Sequence, residues 1–232
     1  MKTKTLIPTV LLALGLGGHG CAALAQDGEW VSYRDAYKAM VVFAKYGKPK
    51  NLLQMHFQLS PRDAATSLDG VSLSLNGKTV QLNLPLDPTG RTSFPLLKAA
   101  YDENAVLALN RKASLFNIQP RLSLAVRADG AYEANELRAA CDQALQYQRF
   151  VNGAYSAKKC VGVRFVYVKK AEAQVLVRDG GRETLLPSVD GPAFDGEAGA
   201  GFRTVTYRFA DWPASGQVVS HFPPLALAPL YD

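Results

Sequence analysis

Cys141 and Cys160 constrain this chain more than any other pair of residues, because each lies on a segment of clear but different periodicity. Leu137, Ala140, Cys141, Ala144 and Leu145 recur at the spacing of one buried helix face, with Glu136, Arg138, Asp142, Gln143 and Gln146 on the other side. Val161, Val163, Phe165 and Tyr167 alternate with Gly162, Arg164, Val166 and Val168. That pattern predicts a strand apolar on both faces, and so one interior to its sheet. A disulfide between the two cysteines would tie helix to sheet across a loop of about 20 residues. In the chain-entropy model such a bond is worth about 3 kcal/mol.

The pairing depends on the compartment, and the N-terminus speaks to that. Lys2 and Lys4 precede an apolar run from Leu6 to Leu16, and Ala23-Leu24-Ala25 forms a small-x-small site before Gln26. Met1 to Ala25 therefore reads as a secretory signal peptide cleaved after Ala25. Lipidation at Cys21 fits less well, because Gly18 stands where an aliphatic residue is wanted. The formal Gly15-x-Gly17-x-x-Gly20 dinucleotide fingerprint follows no strand and lies in the leader. The expected location is the periplasm or the exterior of a Gram-negative cell, where two remaining cysteines pair. There is no Cys-x-x-Cys pair to suggest redox work.

Cleavage would remove two lysines and no acid from a chain of formal net charge +6. The lysines are scattered, as at Lys45, Lys48, Lys50, Lys158, Lys159, Lys169 and Lys170, with no run of five. Aromatics interleaved with Arg164, Arg203 and Arg208 have the composition of a single-strand binder, but export argues against a nucleic-acid partner. No stretch after the leader is long and apolar enough to span a membrane.

The fold expected is α+β: a largely antiparallel β-sheet or sandwich with two main helices, about 33–46 and 133–150, packed on it and one disulfide. Ser32 caps the first helix, Tyr33, Ala36, Tyr37, Met40, Val41 and Ala44 form its apolar face, and Gly47 and Pro49 stop it. Leu53 to Leu59 alternates as a strand that puts His56 on its polar face. Val71–Leu75 and Thr79–Leu84 flank Asn76-Gly77, a hairpin signal. Asp87-Pro88-Thr89-Gly90, Asp129-Gly130 and Asp179-Gly180-Gly181 read as turns. Further strands are expected at 92–96, 105–109, 120–127, 173–178, 182–186 and 202–209, with a loop over 187–201. Residues 26–232 read as one domain, or as two subdomains meeting near 128–135. No internal repeat is legible.

Tyr33-x-x-x-Tyr37 on the first helix, Leu82-x-Leu84-Pro85-Leu86-Asp87, and Phe94-Pro95-Leu96 resemble a family of uncharacterised secreted proteins of Gram-negative bacteria, a domain of unknown function. The resemblance covers about a third of the chain. It implies no activity and carries over no functional residue.

The search for chemistry returns no catalytic, cofactor-binding or metal-binding set. His56 and His221, the two histidines outside the leader, have no second ligand at metal spacing. Gly-x-Ser-x-Gly, Walker and kinase signatures are absent. Asp190, Asp195 and Glu197 lie on a glycine-containing loop that offers oxygen ligands for calcium, off EF-hand spacing. The tail from His221 to Asp232 contains three prolines and so runs extended. Its Phe222, Leu225, Leu227, Leu230 and Tyr231 either brace the chain's own sheet or dock on another cell-envelope protein. Function therefore divides three ways: a non-catalytic binding or envelope-assembly module, a hydrolase-type enzyme using His56 or His221, or a structural envelope component.

Overall fold

The computed structural model describes residues 30–199 and 201–232. The leader expected over residues 1–25 and the expected cleavage site after Ala25 lie outside the described residues. The elements run β1 (Trp30–Ser32), α1 (Tyr33–Lys45), β2 (Leu53–Pro61), β3 (Leu73–Asn76), β4 (Gln81–Leu84), β5 (Arg91–Thr92), α2 (Lys98–Asp102), β6 (Val106–Leu109) and β7 (Phe116–Leu124). They continue β8 (Ala131–Glu133), α3 (Ala134–Val151), β9 (Cys160–Val168), β10 (Val175–Asp179), β11 (Arg182–Leu185), β12 (Ser188–Gly191), β13 (Phe202–Arg208), β14 (Gln217–Ser220) and β15 (Ala226–Tyr231). All the ladders are antiparallel. The class is α+β, as the periodicities predict.

Two four-stranded sheets, β1-β6-β3-β4 and β11-β10-β14-β8, flank a seven-stranded sheet of order β12-β13-β9-β15-β7-β2-β5. These orders contain a duplication that the sequence hides. Reading β8, α3, β9, β10, β11, β13, β14 and β15 against β1, α1, β2, β3, β4, β5, β6 and β7 gives the same topology twice. The small sheets match rung for rung. Ser32↔Val106, Asn76↔Val106 and Asn76↔Gln81 in the first half correspond to Glu133↔Gln217, Arg178↔Gln217 and Arg178↔Glu183 in the second. Met55↔Leu122 and Phe57↔Pro120 correspond to Val163↔Pro229 and Phe165↔Leu227. The buried helix positions Tyr33, Ala36 and Met40 correspond to Ala134, Leu137 and Cys141. Across the resulting approximate two-fold the equivalent Tyr46 and Tyr147 meet edge to face, with centroids 5.2 Å apart. Few equivalent residues are identical, so hydrophobic pattern, not identity, carries the repeat.

The two halves meet between β7 and β15, and that ladder has one rung, Leu227↔Leu124. Strand alternation explains why it stops: Leu227 turns its backbone toward β7, so Pro229, two residues on, does too. Pro229 has no N–H to donate, and the strands part. Pro120 sits harmlessly inside β7 by the same logic. Phe57 opposite it spends its backbone bonds on β5, as the Leu59 N–H to Gly90 carbonyl bond of 2.9 Å sets that phase.

The disulfide joins Cys141 on α3 to Cys160 at the start of β9, with Cα atoms 5.9 Å apart. β9 is interior, as expected from its two apolar faces. Elsewhere the structure corrects the expectations. Of the strand expected at 92–96 only Thr92 is in a strand, because Ser93-Phe94-Pro95 leaves the β2 edge. The loop expected over 187–201 contains β12. The Asn76-Gly77 hairpin closes through a four-residue connection, since Asn76 pairs with Gln81 and the Gly77 N–H bonds Val80. Among the described residues no helix is long and apolar enough to cross a membrane.

Candidate functional site

The tail is an internal strand. β15 lies between β9 and β7, with Leu227 fully buried and Leu230 nearly so. Leu225 donates its N–H to the Val166 carbonyl, and Tyr231 stacks edge to face with Tyr155. Only Phe222, 41 % exposed, stands out from the set proposed as a docking segment. The sheet itself takes up the apolar surface that made a partner attractive in the sequence.

The acidic loop is also spoken for. Arg203 and Lys169 bind Asp190 at 3.2 and 3.9 Å, and Arg164 binds Asp195 at 2.8 Å. Arg121 reaches Glu197 at 3.3 Å. The three carboxylates are distributed among different arginines, and no group of three metal-ligating side chains occurs among the described residues.

Glu197 belongs to a polar cluster that pins the two halves beside their single rung. Gln58 donates to Glu197 Oε1 at 3.0 Å and to the Thr89 carbonyl at 2.8 Å, while Arg121 Nε donates to Gln58 Oε1 at 2.5 Å. Arg91, 4 % exposed, donates to Asp87 Oδ2 at 2.8 Å and to the Leu225 carbonyl at 2.5 Å. The Arg121 and Arg91 guanidiniums lie 4.8 and 5.6 Å from the Phe194 ring. Burial pushes the Glu197 carboxyl up, and the Arg121 charge opposes that shift. Every polar group in this cluster has a partner inside the chain, so its work is joining.

The groove beside it is different. A cavity of about 500 Å³ lies between β4 and the arm from Pro85 to Pro95, with His56 in its wall. The arm is shaped by Asp87. Its Oδ1 accepts from the Thr89 N–H at 2.8 Å, the Thr89 hydroxyl at 2.6 Å and the Arg91 N–H at 3.0 Å. Gly90, at φ +76°, allows the tight return, and a Cβ there would fall 2.0 Å from the Leu59 carbonyl oxygen. Leu82, Leu84, Leu86 and Pro95 give the groove apolar walls. His56 is half-buried rather than solvated, and its Nδ1 is enclosed without a hydrogen-bond partner. Burial, and then the Arg91 charge, lower its pKa from the ordinary 6.5 against the opposing pull of Asp87. Its imidazole is thus biased toward the neutral form, and it is an unpartnered polar group in the groove wall.

Ser93 lines the same groove, but no hydrogen bond joins it to His56 among the described residues. His221 is exposed at the start of the tail, with its backbone N–H on the Gln174 carbonyl. Periodicity alone missed Arg91, Arg121 and Gln58, because each lies on an alternating strand whose polar face is normally solvated. The chain matches no family model, no curated protein and no solved structure. The resemblance to uncharacterised secreted proteins rests on the residues quoted for it alone.

Proposed function

We propose that the protein is an exported, non-catalytic binding module of the cell envelope whose ligand site is the groove between β4 and the Pro85–Pro95 arm. One observation carries this reading: His56 leaves a buried Nδ1 without a partner in the wall of a groove lined by Leu82, Leu84, Leu86 and Pro95 together with the polar Asn83, Asp87, Arg91, Thr92 and Ser93. A buried polar atom left unpartnered in a groove wall carries a cost that a hydrogen bond from a ligand would relieve. The intramolecular disulfide supports an oxidising compartment. Mass spectrometry of exported protein is expected to find Gln26 at the N-terminus.

The groove is tested by titrating isotope-labelled mature protein with a pool of uncharged octapeptides and following its amide and His56 ring resonances. The expected result is concerted shifts at Leu82, Leu86, Ser93 and His56. Shifts confined to the helices, or none at millimolar peptide, would contradict the reading.

A further inference from the structure

β4 is the free edge of the sheet β1-β6-β3-β4. The phase of its ladder fixes which backbone groups face out. The Gly77 N–H to Val80 carbonyl bond of 2.7 Å makes Leu75↔Leu82 and Leu73↔Leu84 the hydrogen-bonded pairs. The N–H and C=O of Gln81 and Asn83 therefore point away from β3, toward the side where the groove opens. The run Gln81-Leu82-Asn83-Leu84-Pro85-Leu86 contains no charge, and Leu82 is 41 % exposed.

The duplication supplies the control. The equivalent edge, β11, turns out the backbone of Glu183 and Leu185, and it begins with Arg182 and Glu183. Glu183 is held by Arg178 at 2.6 Å. Charges of this kind guard an edge against another strand, and β4 lacks them. The facing edge, β5, is already closed, because the Asp87 N–H bonds the Arg91 carbonyl at 2.8 Å and Asp87 Oδ1 takes the Arg91 N–H. One wall of the groove thus offers unpaired backbone, and the other offers side chains.

We propose that β4 is a docking strand, to which an extended, uncharged segment of a partner protein adds by pairing with Gln81 and Asn83 and turning alternate aliphatic side chains into the groove toward Leu86, Pro95 and His56. This rests on reading the groove as the ligand site. A second copy of the chain fits less well. Two-fold pairing of β4 with itself sets Gln81 against Asn83 and Leu82 against Leu82, then stops at Pro85, which has no N–H. Such a contact leaves Leu86 and His56 untouched. A single extended chain has no such symmetry to satisfy and follows β4 along the groove.

The test uses the mature protein and one probe, acetyl-Gln-Thr-Leu-Thr-Val-Thr-Leu-Gln-amide, against the same peptide N-methylated at alternate residues. Binding is read from the Gln81 to Leu84 amides and the His56 ring. Asn83→Pro removes an outward N–H and leaves the β3 ladder its bonds, so it is expected to keep the circular dichroism spectrum and weaken binding about tenfold or more. Leu185→Pro makes the same change on the guarded edge and is expected to leave affinity unchanged. Gln81→Pro removes the other outward N–H at a residue outside the groove lining; it is expected to weaken binding as Asn83→Pro does, and it decides the matter if Asn83→Pro does not fold. Equal binding by wild type and these β4 variants, with His56 still shifting, overturns the docking strand and leaves the groove reading standing. No shift with any peptide overturns both. Concentration-dependent dimerisation of wild type that Asn83→Pro abolishes makes a second copy the occupant and overturns the partner segment.

Discussion

The first half of the molecule places Met40 where the second places Cys141, leaves β4 uncharged where β11 carries Arg182 and Glu183, and caps its β5 edge with Asp87 where the second half adds the strand β12. The ladders around these positions are otherwise the same. One topology thus tolerates nearly unrelated sequences as long as buried and exposed positions alternate alike. What differs between the halves marks what each does: the second is stapled and guarded, and the first is left open along one edge. The joint between them has a single backbone rung, flanked by the polar cluster of Gln58, Arg91, Arg121 and Glu197 and by a hydrophobic cluster in which Tyr46 meets Tyr147.

The harshest break of this comparison is at the joint. Truncation after Ser220 removes β15 from the middle of the large sheet, and the shortened protein is expected to show no cooperative unfolding transition by calorimetry. The point change Leu227→Ala is expected to cost about 2–5 kcal/mol in denaturant melts.

Next comes Arg91 against its counterpart on β13, Thr204. Arg91→Met strands the Leu225 carbonyl and the partly buried Asp87 carboxylate, and is expected to cost about 3–5 kcal/mol. Thr204→Val loses one hydrogen bond, to the Val189 carbonyl, and is expected to cost about 1 kcal/mol. Urea unfolding of the two variants checks the ranking.

Cys141→Ser with Cys160→Ser is expected to destabilise by about 3 kcal/mol, whereas Met40→Leu at the equivalent place costs less than about 1.5 kcal/mol. Thiol titration of the unreduced protein should find no free thiol.

The smallest effect expected is on pH dependence. The pKa of His56 in the fold lies below 6.5, so the unfolded chain takes up the proton first. The stability His56 contributes is present above pH 6.5 and lost as pH falls toward its folded value. The difference in unfolding free energy between wild type and His56→Gln should therefore change with pH below 6.5 and be flat above it. A difference that is flat throughout would show the imidazole to be solvated.

The α+β class, the interior position of β9 and the Cys141–Cys160 bond were legible because periodicity is a local property of a sequence and the pairing of two cysteines on periodic segments needs no knowledge of the strand order. The extended tail was legible from its prolines, but its place between β9 and β7 was not. That place depends on which edges are free, and no segment shows this by itself. The duplication was hidden for a related reason: Phe57 and Phe165, or Leu84 and Leu186, are equivalent only through their rungs, and loops of unequal length shift the numbering between them. His56 sits at a polar position of its strand, and only the arm from Pro85 to Pro95 folding over it makes it half-buried. The groove was thus half legible. Gln81 to Leu86 reads as uncharged in the sequence, and that it is an unguarded edge follows only from strand order.

Amide hydrogen exchange with the alternating peptide bound puts the central contrast to the test, because both edges are measured in one sample. Slowed exchange at Gln81 and Asn83, with Glu183 and Leu185 exchanging as in the free protein, is the result expected of one open and one guarded edge. Equal protection at both edges, or protection at Glu183 and Leu185 alone, would contradict it.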